Sequence, residues 1–389
     1  MIKPIRILFG RNKPAQRMVT IYRKQNLCHS SFYGKEEARI MAGIALLMML
    51  IHHFFGFQYY RLDSNWFYEP FKIAGVSLER IFASAGKLCV AIFAFMSGYA
   101  IWINRKKYIG LKYVAGRAAE FLLNYWIIVF LFYIYACATG DRRPDAGTLL
   151  QNLYGGATGP GFPYVNVAFA WYVCFYIVLL MLSPVLLRLT YRLTWIQDVF
   201  LLIFLQFLHW GMQISGIDSA FHSISITLIS GTLIASVFGL LVAKWDVFGR
   251  VESICRNHPT ALGCCLIVTV LSIRQIFLLS GINTGLSEAL FAGTFVFASI
   301  LMFKHSGTAT IRKILIWIGI NSMNMWFLHS IFFTGSRPWQ HILYFPHYSV
   351  LILLWGIILL IPGAIGVSWI QKRILSWCKQ LSGVLTTSK

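Results

Sequence analysis

Charge is what this 389-residue chain has least of: Asp, Glu, Lys and Arg make up 12% of it, and only 13 residues are acidic. Soluble domains carry about 25% charged residues. A water-facing fold of two or three domains, which the length alone would suit, is therefore excluded. The chain also lacks any Cys-x-x-Cys pair. Its eight cysteines (Cys28, Cys89, Cys137, Cys174, Cys255, Cys264, Cys265 and Cys378) fall mostly inside apolar runs and read as small hydrophobic filler, not as metal ligands. No cleavable signal is expected either. Residues 5–10, IRILFG, are too short for its apolar region, so the first apolar span is expected to direct insertion itself. No internal repeat of the kind that marks many transporters is visible.

What the chain does have is apolar length. Hydrophobic residues make up 58% of it, and runs of about twenty recur from Ala38 to near Ile370. Such a run matches the thickness of a bilayer core. The expected fold is all-α, a polytopic transmembrane helix bundle of about ten spans. They fall near 38–57, 86–103, 118–138, 166–188, 196–215, 223–243, 260–280, 286–303, 313–334 and 349–370. Residues 1–37 form a basic tail, 38–370 the membrane domain and 371–389 a second tail.

The net charge of +21 is distributed in a way that excludes nucleic acid as its partner. Basic residues sit in alternate loops: Arg105, Lys106, Lys107, Lys112 and Arg117; then Arg188 and Arg192; then Lys244, Arg250 and Arg256; then Lys304, Arg312 and Lys313. The intervening loops are poor in cations or balance them with acids. This is the positive-inside pattern. It places both termini in the cytoplasm and the cations against anionic membrane lipid. Two outward segments are longer than the rest. Residues 58–85 are aromatic-rich, and 139–165 are rich in Gly and Pro; both are expected to rim an outward-facing cavity.

Ionisable side chains inside a span are costly and mark function by default. His53, His209, Arg274 and His329 lie about fifteen, thirteen, fourteen and sixteen residues into spans that run in the same direction. At 1.5 Å per residue they share one level to within roughly 5 Å. Each also has a plain structural reading: a hydrogen bond to a neighbouring helix for the histidines, a carboxylate or backbone partner for Arg274.

The segment Ala42-Gly43-Ile44-Ala45-Leu46-Leu47-Met48-Met49-Leu50-Ile51-His52-His53 resembles the first span of acyltransferase family 3, membrane enzymes that acylate hydroxyl groups of glycans and other small acceptors. The alignment puts His53 at the family's histidine. The family's basic residue falls on Ala42, with Arg39 one turn earlier as the substitute. Four further segments agree in order. The run from Gly86 to Ser97-Gly98-Tyr99 resembles the second span. Arg117 followed by Asn124-Tyr125-Trp126 resembles the basic entry to the third, although Glu120 stands where a second basic residue is common. Trp171-Tyr172-Val173 leading to Leu182-Ser183-Pro184 resembles an aromatic span, and Asn321 to His329 a late span ending in histidine.

The resemblance implies an O-acyltransferase. It moves an acyl group, most plausibly acetyl, from cytoplasmic acetyl-CoA to a hydroxyl of a cell-surface or lipid-linked glycan at a bacterial cytoplasmic (inner) membrane. No cofactor is permanently bound; acyl-CoA is a co-substrate. His53 is the expected general base, because histidine titrates near working pH. Arg274, Ser97 and His329 complete the expected catalytic set, with Arg274, Ser97 or Asn324 as oxyanion donors. Arg39, Arg105, Lys106 and Arg117 are expected to hold the CoA phosphates, and Trp171, Tyr172 and Asn324 the acceptor. A second reading is a transporter or flippase for a glycan or lipid-linked intermediate, in which the buried His and Arg relay protons. A third, a glycan polymerase or ligase, would want a large charged outward loop. The oligomeric state is left open by the sequence.

Overall fold

A computed structural model describes residues 32–56, 67–139, 146–155, 171–219, 225–255, 258–305, 309–333 and 337–387. Among them ten helices are long and apolar enough to cross a bilayer. In order, they are Lys35–Gly56, Leu78–Ile103, Leu111–Thr139, Trp171–Arg192, Trp195–Ile214, Ile226–Lys244, Pro259–Leu279, Gly285–His305, Ala309–Phe332 and Ser349–Cys378. These are the ten expected spans, most of their ends shifted by a few residues. The protein is an all-α membrane bundle. Its first and eighth spans are the most enclosed, and its fifth and seventh are the most peripheral.

Three boundaries differ, each for a physical reason. The second span begins early because Leu78–Gly86 is itself a helix, joined through a tight turn at Lys87 and Leu88 to Cys89–Ile103. The third starts at Leu111 because Lys112, Tyr113 and Arg117 are compatible with helix even where they are too polar for a hydropathy window. The tenth runs unbroken from Ser349 to Thr387 through Pro362. Basic residues such as Lys372 and Arg373 mark where the apolar run stops, and nothing after them stops a helix. The stretch read as a tail from 371 therefore begins as helix.

The two long segments after the first and third spans carry short structure of their own. Lys72–Ile73 pairs antiparallel with Val76–Ser77, and the chain turns between them through Ala74 (φ 49°) and Gly75 (φ 81°). Ala146–Leu153 is a helix. Residues 57–66, 140–145 and 156–170, and the basic tail up to residue 31, lie outside the described residues.

Apolar helices in lipid gain little by hiding hydrophobic surface from one another; close backbone approach at small residues holds them instead. Two crossings show this. A Cβ added at Gly98 in the second span would strike the Ser236 carbonyl of the sixth, and one at Gly239 would strike the Phe95 backbone. There Ser236 Oγ donates to the Ala94 carbonyl at 2.9 Å. A Cβ at Gly43 in the first span would strike the Leu315 carbonyl of the ninth, and one at Gly319 would strike the Arg39 carbonyl. A buried ion pair ties the fifth span to the sixth: Lys244 Nζ lies 2.5 Å from the Asp198 carboxylate, which also accepts from the Trp245 indole at 2.8 Å.

Candidate active site

The crossing of the first and ninth spans positions the centre of the site. His53 lies ten residues beyond Gly43 and His329 ten residues beyond Gly319. Both spans are odd-numbered and so run in the same direction through the bundle. Equal counts from a shared contact bring two side chains to one height, about 15 Å further on. There His53 Nδ1 and His329 Nε2 form a 2.6 Å hydrogen bond. The rings are parallel to within 6°, with centroids 4.7 Å apart, and both are buried. The Phe333 ring packs edge-on against each of them.

The backbone fixes the proton positions of the neutral pair. His329 Nδ1 bonds the Trp326 carbonyl, which can only accept, so that nitrogen carries the hydrogen. His329 Nε2 then offers a lone pair, and His53 Nδ1 must donate to it. The lone pair of His53 is left on Nε2, the nitrogen able to take a proton. His52 is excluded from this arrangement. Its Nδ1 donates to the Ala83 carbonyl at 2.7 Å, on the side of the first span that faces the second.

Trp326 joins the histidines to a cavity of about 570 Å³. While its carbonyl receives His329, its ring lines the cavity, stacked near Phe93 and edge-on to Tyr172. The cavity reaches from this aromatic wall to the bundle end where the first span starts, at Ala38, and the second ends, at Ala100 and Ile101. Its size is in the range of small-molecule and cofactor sites. Arg117 lies along it. That guanidinium contacts Glu120 at 2.9 Å and shares the cavity lining with Tyr108 and Tyr176. Ser97 and Tyr172 line the same cavity, and Ser97 Oγ donates to the Phe93 carbonyl at 2.8 Å. Two buried polar atoms of lining residues, Asn124 Oδ1 and the Tyr33 hydroxyl, have no partner among the described residues.

The other sequence candidates separate from this centre. Arg274 is 1% exposed. Its Nη2 lies 2.7 Å from Glu288, its Nη1 donates to the Ser84 carbonyl at 2.9 Å, and Asn283 donates to the same carboxylate at 2.6 Å. This clamp joins the second, seventh and eighth spans. His209 Nδ1 pairs with Ser230 Oγ at 2.9 Å. His209 and Glu288 line a second cavity of about 220 Å³ at the opposite end of the bundle, together with Lys87, Trp171, Gln213 and Asn283. The four groups expected at one depth thus form two sets. His53 and His329 touch; His209 and Arg274 belong to the second cavity and its wall.

Trp171 and Tyr172 are also divided, Trp171 lining the second cavity and Tyr172 the first. Asn324 reaches neither: its amide donates to Ser368 Oγ at 2.8 Å and the Ala364 carbonyl at 3.3 Å, fastening the ninth span to the tenth. Ala42 lines the large cavity, whereas Arg39 is exposed and does not. Arg105 and Lys106 line a third cavity of about 280 Å³ with Arg188 and Arg192. Sequence reasoning passed over Asn124 and Trp326 as site residues. Asn124 follows Arg117 by seven positions, two helical turns on one face, and that spacing was the available signal.

Compared with known families, the chain matches the one described as an acyltransferase domain, acyltransferase family 3, over residues 40–372. The match covers nearly all of the chain, and the chain belongs to this family; it is a multi-pass membrane acyltransferase. No curated protein and no solved structure matched it.

Proposed function

We propose that this acyltransferase takes an acetyl group from cytoplasmic acetyl-CoA and delivers it to a hydroxyl of a cell-envelope glycan at the bacterial inner membrane, with His53 as the general base. The observation that carries the reading is the hydrogen-bonded sequence Trp326 carbonyl, His329, His53, set directly behind the wall of a cavity large enough for a thioester and its pantetheine arm. In this reading Arg117 attracts the phosphates of CoA at the entrance. The partnerless Asn124 oxygen accepts from a pantetheine amide. His53 Nε2 removes the proton as the acceptor oxygen attacks the thioester carbonyl. The tetrahedral intermediate then expels the CoA thiolate, which takes that proton back, so the base is regenerated. His329 acts through His53, holding it in the tautomer that has its lone pair on Nε2. The Tyr172 hydroxyl is the candidate to face the oxyanion; Ser97 would join it only by releasing the Phe93 carbonyl.

Acetyl transfer from radiolabelled acetyl-CoA in membranes of a host that supplies the glycan tests this. Label should enter the glycan with the wild type, and the rate should fall by about a hundred- to ten-thousandfold in His53→Ala. A wild-type rate in that variant, with the protein present in the membrane, would remove His53 from the reaction. Solute flux without covalent change would favour a transporter instead.

A further inference from the structure

The third cavity is built from two separate stretches of chain. One is the end of the second span and the short helix Arg105–Tyr108, giving Trp102, Arg105 and Lys106. The other is the last turn of the fourth span, giving Arg188, Tyr191 and Arg192. Arg188 and Arg192 are four residues apart on a helix and therefore neighbours on one face, where like charges repel. Four cations line one space, and the acids nearest in the chain are engaged elsewhere. Asp198 is bound to Lys244 and Trp245, and Glu120 is paired with Arg117. Among the described residues no ion pair includes Lys106, Arg188 or Arg192.

Cations at a helix C-terminus often serve its last carbonyls, but that role is filled. The Thr190 and Leu193 carbonyls accept from Lys244 Nζ at 2.5 and 2.9 Å. Arg105 is held in place, donating to the Trp102 carbonyl at 3.2 Å with its guanidinium 5.0 Å above the indole. The remaining lining is apolar, from Ile109 and Leu187. Met181, Val185 and Leu189, each four residues from the next, form an exposed apolar stripe leading up the fourth span from Arg192. A cationic cup at the foot of an apolar stripe matches a ligand with an anionic head and a hydrocarbon tail.

We propose that this cavity is a phosphate site, occupied by the headgroup phosphate of an anionic phospholipid whose acyl chain lies along Met181, Val185 and Leu189. The phosphate bridges the two stretches of chain through charge-assisted hydrogen bonds from both and removes the repulsion between them. The nucleotide end of acyl-CoA offers similar phosphate chemistry without the tail.

The test is native mass spectrometry of the full-length protein titrated with phosphatidylglycerol, phosphatidylcholine or adenosine 3′,5′-bisphosphate. The wild type should retain phosphatidylglycerol in preference to phosphatidylcholine. Arg188→Gln/Arg192→Gln should bind it about tenfold more weakly, and Arg188→Lys/Arg192→Lys should keep most of the affinity. If the double glutamine variant does not fold, each single variant is measured and should bind about threefold more weakly. Equal retention of the two lipids overturns the proposal, as does an equal loss in Lys313→Gln, which changes a cation outside the cavity. Retention of the bisphosphate in preference to phosphatidylglycerol, lost in Arg188→Gln/Arg192→Gln, would assign the site to the nucleotide and overturn the lipid.

Discussion

The His53–His329 contact depends on two glycines about 15 Å away from it, and a single substitution measures that dependence. In Gly319→Val the new Cβ would overlap the Arg39 carbonyl of the first span. Ordinary contact of a methyl carbon with an oxygen begins near 3.4 Å, so the two backbones must part by about 1 Å or more. Ten residues further on, such a gap would lengthen the 2.6 Å bond between the histidines to about 3.6 Å, beyond hydrogen-bonding range. His53 would then lose both its position and its fixed tautomer. Misplacement of a reacting group by about 1 Å costs about a hundredfold in rate, equivalent to about 2.7 kcal/mol of barrier. The assay is the initial rate of acetyl transfer in membrane vesicles, normalised to folded protein by size-exclusion chromatography. Gly366→Val is the control, because a Cβ there meets nothing within 4 Å, and it should keep the wild-type rate. A wild-type rate in Gly319→Val, or an equal loss in the control, would refute the reasoning.

Three further outcomes are expected. Arg274→Met strands the Glu288 carboxylate and should destabilise the protein by about 3–5 kcal/mol, read as a lowered melting temperature in detergent; Arg274→Met/Glu288→Leu should recover most of it. Asn124→Leu should raise the KM for acetyl-CoA about five- to tenfold and leave kcat near wild type, as the loss of one hydrogen bond to bound donor predicts. Burial pushes the Asp218 carboxyl up, but hydrogen bonds from Thr227 and Ser225 outweigh it and hold the group below its ordinary value. The stability this anchor adds should be complete above about pH 4 and fade as the pH drops through the lowered value. Melting curves from pH 7 to 3 should show this acid loss in the wild type and a smaller one in Asp218→Asn.

The spans were legible because a bilayer imposes one length on every crossing, and that length is written in apolar runs. The depths of His53 and His329 were legible for the same reason, since rise per residue is constant. Depth is only one coordinate of three. Which helix faces which is set by small residues such as Gly43, Gly98, Gly239 and Gly319, and in an apolar run a glycine scarcely changes the hydropathy. The Arg274–Glu288 pair was within reach of a simple rule. Arg274 lies five residues before the end of the seventh span and Glu288 three residues into the eighth, and a helical hairpin brings such positions side by side. The basic loop was harder. Arg105 and Arg117 stand twelve positions apart in a single positive cluster, and only the fold places them in different cavities.

The cavity lined by Trp326 and the one lined by His209 come close to each other in the chain. Val90 and Ala91 line one and Phe93 the other; Trp171 lines one and Tyr172 the other. Along the second span the linings are separated by two to three residues, about 3–5 Å of helix rise. In the acetyl-transfer reading, a bulky, highly charged donor then has no need to cross, and neither does an acceptor on the far side. In electrical terms the protein resembles two electrodes brought almost into contact through an insulator, with only the smallest uncharged fragment left to bridge the gap.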